Sequence, residues 1–117
     1  MDWLDCQGAF IEGDVIRWRE TAWPHRRHKN GKPRAIGERL LTAEVLRCDE
    51  ASGFVTLLIR QSKVLSDHSW RGTLPPLNPG ETIRRKSITL NKGTPQRLPW
   101  NDESARAVVS RRTKPEQ

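Results

Sequence analysis

Two groups of basic side chains are the residues best suited to binding chemistry. Five cations lie within nine residues that contain no acid: Arg26, Arg27, Lys29, Lys32 and Arg34. Three more are consecutive: Arg84, Arg85 and Lys86. Lys and Arg that neutralise phosphates release counterions, so such groups bind nucleic acid in a salt-sensitive way. Because strand neighbours point to opposite faces, either Arg85 or the Arg84/Lys86 pair is expected to extend the first group. The alternative is a solvated basic surface with no partner.

Tryptophan is the second notable residue type. The chain has 5 Trp, 2 Phe and no Tyr. Trp18 has the same parity as Ile16 and is expected in the core. Trp23 and Trp70 adjoin loops, next to Pro or Arg, and an exposed indole that stacks on a base contributes about 1–3 kcal/mol. Both are candidate stacking residues; the alternative is that they cap the ends of a small core.

Metal binding is not expected. Structural zinc sites usually take their ligands in closely spaced pairs. His25 and His28 form such a pair, but Cys6, Cys48 and His68 are isolated. We therefore interpret the histidines as solvated and expect no metal and no cofactor.

Signatures of catalysis are also missing. The chain has no GxSxG, no phosphate-cradling glycine-rich loop and no HExxH. Asp49 and Glu50 are adjacent but suit a turn, and nothing marks Asp14 and Glu44 as a catalytic pair. We expect a protein that is not an enzyme.

Composition sets the wider limits. With 117 residues, 34% hydrophobic and 30% charged, the chain suits one domain. Its net charge is +7 and its pI about 10.3, which favours polyanionic partners.

Two cysteines are too few for a disulfide framework, and we expect both to be reduced. No apolar run approaches the ~20 residues that span a bilayer, and residues 1–5 do not resemble a signal peptide. The cytoplasm is the expected location, with no membrane partner.

Apolar alternation and turn residues predict mainly β-structure. A basic loop is expected at 24–37, around Asn30-Gly31. Strands are predicted at 13–23, 38–48, 54–65 and 81–90, with a short fifth at 95–98. Residues 38–65 should form a hairpin, although 38–48 alone would also suit a helix. Because Ile83 differs in parity from Ile88 and Leu90, a bulge or twist is expected near Arg84–Lys86.

A short helix is predicted from Asn101, a residue typical of N-caps that is followed by acids. Its apolar face, formed by Ala105, Val108 and Val109, is expected to close the core; a contact with a partner or second copy is the alternative. From Arg111 onward we expect a flexible basic tail.

The predicted fold class is mainly β: an SH3-like or Sm-like antiparallel barrel of four to five strands with a short C-terminal helix, covering 1–110. Closure into a barrel would remove exposed strand edges. An open sheet covered by the helix is the second choice. The opening Gly13-Asp-Val-Ile16 is similar to the first strand of many such barrels, and no functional residue follows from that similarity.

The function predicted from these features is non-enzymatic binding of DNA or RNA, mainly through phosphates. The alternative is a protein-interaction module, such as an adaptor, an inhibitor or a small basic subunit of a nucleoprotein assembly, that meets an acidic protein surface. The type of nucleic acid and the oligomeric state stay open.

Overall fold

The computed structural model describes residues 3–6, 10–23, 35–68, 74 and 77–113, the last four of these through their backbone only. The six strands are β1 (Leu4–Asp5), β2 (Val15–Ala22), β3 (Gly37–Asp49), β4 (Phe54–Asp67), β5 (Thr82–Lys86) and β6 (Gln96–Arg97). The two helices are α1 (Ser87–Lys92) and α2 (Glu103–Thr113). The prediction of a mainly β protein is confirmed.

The predicted hairpin at 38–65 is present as β3 and β4, which pair antiparallel from Asp49↔Phe54 to Gly37↔Asp67. Its turn depends on Asp49, whose Oδ1 accepts the N–H of Ala51 (3.0 Å) and whose carbonyl accepts that of Gly53 (2.8 Å). Gly53 has φ +76°, a conformation that suits glycine. Three register shifts interrupt the long ladder, and such bulges bend a hairpin and increase its twist.

The sheet is antiparallel and has the order β1-β6-β2-β3-β4-β5. The expected closed barrel is not observed, because β1 and β5 do not pair with each other in the part of the chain that the structure describes. The reason lies in the lengths of the outer strands: β1 and β6 have two residues each, and β5 has five. The described sheet is thus an open sheet of six strands.

The predicted fourth strand at 81–90 is wrong in its second half. Only Thr82–Lys86 is extended, and Ser87–Lys92 forms α1. This helix leads the chain from β5, at one edge, to β6, beyond β2. A strand would have placed Ile88 and Leu90 on one face, whereas the helix exposes Ile88 and fully buries Leu90. The parity change therefore reflects the end of a strand rather than a bulge within it.

The core occupies one face of the sheet, which we call the inner face. It contains alternate residues of β2, β3, β4 and β5 and is completed by α1. Its buried members are Ile16, Trp18, Leu41, Ala43, Val45, Val55, Leu57, Ile59, Ile83 and Leu90. The core position predicted for Trp18 is confirmed, at 1% exposure.

The C-terminal helix is present as predicted, but it docks differently. Ala105 is exposed and Val108 is 44% exposed, so the predicted apolar face does not close the core. Polar groups hold α2 instead: Arg106 bonds to the buried Asp14, and Glu103 pairs with Arg97 (2.7 Å). Asp102, rather than Asn101, caps the first turn through the N–H of Ser104 (2.9 Å). The helix continues to Thr113, past the predicted start of the tail.

The two cysteines are not bridged. Cys6 is buried, and its backbone N–H donates to the carbonyl of Pro95 (3.0 Å). The Cys48 thiol donates to the carbonyl of Phe10 (3.2 Å). Burial raises the pKa of both thiols, that of Cys48 to about 11.

Candidate nucleic-acid interface

The predicted contact residues divide between described and undescribed parts of the chain. Arg84, Arg85, Lys86 and Trp23 lie among the described residues. The other predicted contact residues lie outside them: Arg26, Arg27, Lys29, Lys32, Arg34 and Trp70. The sheet carries the three cations of the first set, and Trp23 directly follows the end of β2.

Arg84 and Lys86 lie on the side of the sheet opposite the core, which we call the outer face. Their cross-strand partners are Thr56 and Phe54. The Arg84 guanidinium lies 4.5 Å from the centroid of the Phe54 ring, and the Lys86 ammonium 5.6 Å from it. Cations over an aromatic face are attracted by its quadrupole. The Phe54 ring thus holds two cationic groups close together at the start of β4.

Arg85 points to the inner face. It pairs there with Glu20 across the sheet, and the two side chains are 28% and 12% exposed. The strand therefore divides the three consecutive cations as alternation requires. Arg85 neutralises an acid within the fold, so it does not add to a basic surface on the outer face.

The outer face is basic along most of its width. Cross-strand pairing and the ion pair of Arg60 place seven cations there: Arg17, Arg19, Arg47, Arg60, Lys63, Arg84 and Lys86. The same pairing places four acids there: Asp5, Glu38, Glu44 and Asp49. Glu44 is already paired with Arg60, and Asp49 bonds within its own turn. The outer face therefore has an excess of positive charge.

Arg17 and Arg19 were not among the predicted contact residues. Arg17 is held in place, because its Nε donates to Gln96 Oε1 (2.8 Å) and its guanidinium stacks 4.4 Å from the Trp3 ring centroid. Arg19 is exposed and its side chain forms no ion pair with any described residue. The signal was present in the sequence, since both alternate with Ile16 and Trp18, which are core residues.

A cleft lies between the C-terminal half of β2 and α1, and we call it the edge cleft. Its volume is about 350 Å³. It is lined by Arg19, Glu20, Thr21, Trp23, Thr89, Lys92 and Gly93. A second cleft of about 420 Å³ shares Arg19 and Gly93 with it and continues along β2 past Arg17. Together they form a groove that is open to solvent beside the basic face.

The edge cleft exists because β2 is longer than its neighbour on this side. β6 pairs only with Ile16 and Arg17. Beyond them, the N–H of Arg19 donates to the carbonyl of Gly93 (3.0 Å). The backbone of Thr21 points the same way as that of Arg19 and has no partner in the described part of the chain. On the side of β6, the C-terminal end of β2 therefore pairs with no strand among the described residues.

Other site types gain no support from the described residues. Among these, no three His, Cys, Asp or Glu side chains come close enough to hold a metal ion; His25 and His28 lie outside the described part. None of the helices in this part of the chain has the length and apolar character needed to cross a bilayer. Comparison with protein families, curated proteins and solved structures finds no match.

Proposed function

We propose that this protein is a non-enzymatic nucleic-acid-binding protein that contacts phosphates through the outer face of its sheet. The observation that carries the proposal is the charge of that face: seven cations against four acids, two of which already have partners within the fold. The five cations of residues 24–34 follow β2 directly in sequence and would extend the same surface.

The dimensions of the face suit a polyphosphate chain. Arg19 and Lys63 both lie opposite Leu40, on the strands either side of β3, and adjacent strands are about 4.8 Å apart, so these two cations are separated by roughly 10 Å. Nucleic-acid strands carry one phosphate per ~3.4 Å of helix axis. A nucleic-acid strand that crosses the sheet there would therefore present several phosphates to Arg19 and Lys63. Because Arg85 faces the core and pairs with Glu20, we leave it out of the proposed contacts.

The proposed architecture is a relative of SH3-like barrels that is open at one seam. Strands β2 to β5 form an antiparallel meander, α1 follows, and β6 returns to pair beside β2. That connectivity is similar to an SH3-like barrel and supports the proposal. It also places the segment 24–34 between the first two strands of the meander.

Fluorescence anisotropy with labelled oligonucleotides over a series of salt concentrations tests the function. Wild-type protein should bind with micromolar or lower Kd, and log K should fall linearly with log salt. The triple variant Lys63→Ala/Arg84→Ala/Lys86→Ala should weaken binding at least tenfold and reduce the salt slope.

The matched control removes three cations from the C-terminal end of the chain, as Arg111→Ala/Arg112→Ala/Lys114→Ala. Because its total charge equals that of the test variant, equal losses would show that only net charge matters and would contradict a site on the outer face. Absence of binding even at low salt would reject the function. A protein partner with an acidic surface, the alternative from the sequence, would then be sought.

A further inference from the structure

The edge cleft combines cations, hydroxyls and an aromatic ring at one place. Arg19 comes from β2, and Lys92 from the last turn of α1. The hydroxyl groups belong to Thr21 and Thr89. Trp23 lies at the end of the cleft and is 56% exposed, more than a core tryptophan would be. The cations and hydroxyl groups can bind a phosphate, and the exposed indole can stack on a flat ring, so the cleft offers both kinds of contact.

The cationic charge of the cleft is available to a ligand. Neither Arg19 nor Lys92 forms an ion pair with a residue that the structure describes. Glu20 also lines the cleft; its Oε1 accepts the Arg85 guanidinium, which balances its charge, while its buried Oε2 has no hydrogen-bond partner among the described residues. Thr89 and Lys92 are three residues apart in α1 and therefore lie on one side of the helix. An anion between β2 and α1 would meet positive charge from both walls.

The position of Trp23 determines what kind of nucleic acid fits. A base in a duplex is stacked on both faces and paired at its edge, so an indole beside the backbone cannot reach its face. A base in a single strand has a free face, and stacking on it needs no particular sequence. The cleft volume of about 350 Å³ is at the lower end for small-ligand sites. It therefore suits one nucleotide rather than a section of duplex.

We propose that the edge cleft is a subsite for one nucleotide of single-stranded nucleic acid, with the base on Trp23 and its phosphate between Arg19 and Lys92. This inference rests on the proposed function and adds the class of ligand.

The test compares three labelled probes of equal length: a single-stranded oligothymidylate, a duplex, and a single strand built from abasic units, which keeps the phosphates without the bases. Wild-type protein should bind the oligothymidylate more tightly than the other two. Trp23→Ala should weaken oligothymidylate binding by about 5- to 150-fold and leave the abasic probe within twofold of wild type. Trp23→Phe should keep most of the affinity. Arg19→Ala/Lys92→Ala should weaken binding of all three probes.

Ile88→Ala is the matched control, because it removes another exposed hydrophobic side chain (61%) from the same region, one that does not line the cleft. It should leave oligothymidylate binding within twofold of wild type. Circular dichroism spectra of each variant, together with the Trp23→Phe result, separate loss of stacking from loss of folding.

Two results would overturn parts of the proposal separately. If wild-type protein binds single strand, duplex and abasic probe equally and Trp23→Ala changes nothing, the basic face binds nucleic acid but the subsite is wrong. If wild-type protein binds none of the probes at low salt, the proposed function itself fails. Greater affinity for duplex than for oligothymidylate would also reject the subsite.

Discussion

Arg106 and Asp14 form a two-point ion pair across 92 residues of sequence, and the Asp14 carboxylate is fully buried. Arg106 Nε and Nη2 donate to the two carboxylate oxygens at 2.9 Å each. Trp100 Nε1 (2.9 Å) and the N–H of Ile11 (3.2 Å) complete the set of donors. A buried carboxylate is tolerated only when it is paired in this way. The pair therefore joins the start of β2 to the C-terminal helix.

Removal of Arg106 should be among the most destabilising single substitutions in the described part of the protein. Arg106→Ala leaves an uncompensated buried charge, for which about 3–5 kcal/mol of unfolding free energy is lost. Arg60→Ala is the control, since the Arg60–Glu44 pair is 53% and 30% exposed and should contribute less than about 1 kcal/mol. Urea unfolding followed by tryptophan fluorescence measures both. Equal effects of the two substitutions would contradict a structural role for the Asp14–Arg106 pair.

The Glu103 carboxylate should make α2 docking sensitive to acid. Hydrogen bonds from Arg97 and from the N–H of Trp100 lower the pKa of Glu103 from 4.5 to about 2. Because the folded pKa lies below the unfolded one, the stabilisation is complete above pH 4.5 and is lost as the pH falls toward 2. The urea midpoint should therefore fall more between pH 5 and pH 3 for wild type than for Glu103→Gln. Parallel curves for the two proteins would show that Glu103 does not contribute.

Cys48 should react slowly with alkylating reagents in the folded protein. Burial and nearby acids, Asp14 foremost, raise its pKa from 9.0 to about 11, which lowers the reactive thiolate fraction at pH 8 by about 100-fold. In a Cys6→Ser variant, iodoacetamide should label Cys48 rapidly in urea and at least 50-fold more slowly in buffer. Labelling at similar rates in both conditions would mean that the Phe10 segment does not cover this thiol.

Gly93 should not tolerate a side chain. A Cβ at this position would overlap the carbonyl oxygen of Arg19, so Gly93→Ala must separate the end of α1 from β2. We expect a loss of more than about 2 kcal/mol in unfolding free energy, as for overpacking of a dense interior. Gly53→Ala is the control: its Cβ would meet nothing within 4 Å and only its φ of +76° is strained, which costs about 1 kcal/mol. If Gly93→Ala unfolds at the same urea concentration as wild type, that contact is not tight.

The strands whose residues alternate clearly were predictable from sequence, and elements that depend on distant partners were not. In β2, Ile16 and Trp18 are buried, and in β3, Leu41, Ala43 and Val45 are buried. Apolar residues at every second position are the pattern that predicts a strand. Ser87–Lys92 contains β-forming residues, yet it folds as a helix because Leu90 must reach the core while the chain crosses toward β6. Tertiary packing overrides local propensity in such a segment.

The candidate site shows the same division. Alternation already placed Arg17 and Arg19 opposite the core, and it predicted that Arg84 and Lys86 would separate from Arg85. The pairing of Arg85 with Glu20, 65 residues away, has no local signal. The role of Asp14 was equally hidden, because its type and position after Gly13 suit an ordinary turn while its partner lies near the end of the chain.

The late position of Arg106 also matters while the protein is being made. A ribosome that adds about 5–20 residues per second needs roughly 5–18 s to travel from Asp14 to Arg106. During that interval the sheet-forming segments emerge, but the acid at the start of β2 has no cation to neutralise it. Completion of the interior therefore waits for the last helix. A nascent chain that stops before Arg106 keeps an unpaired carboxylate at Asp14 and therefore lacks the stability of the full chain.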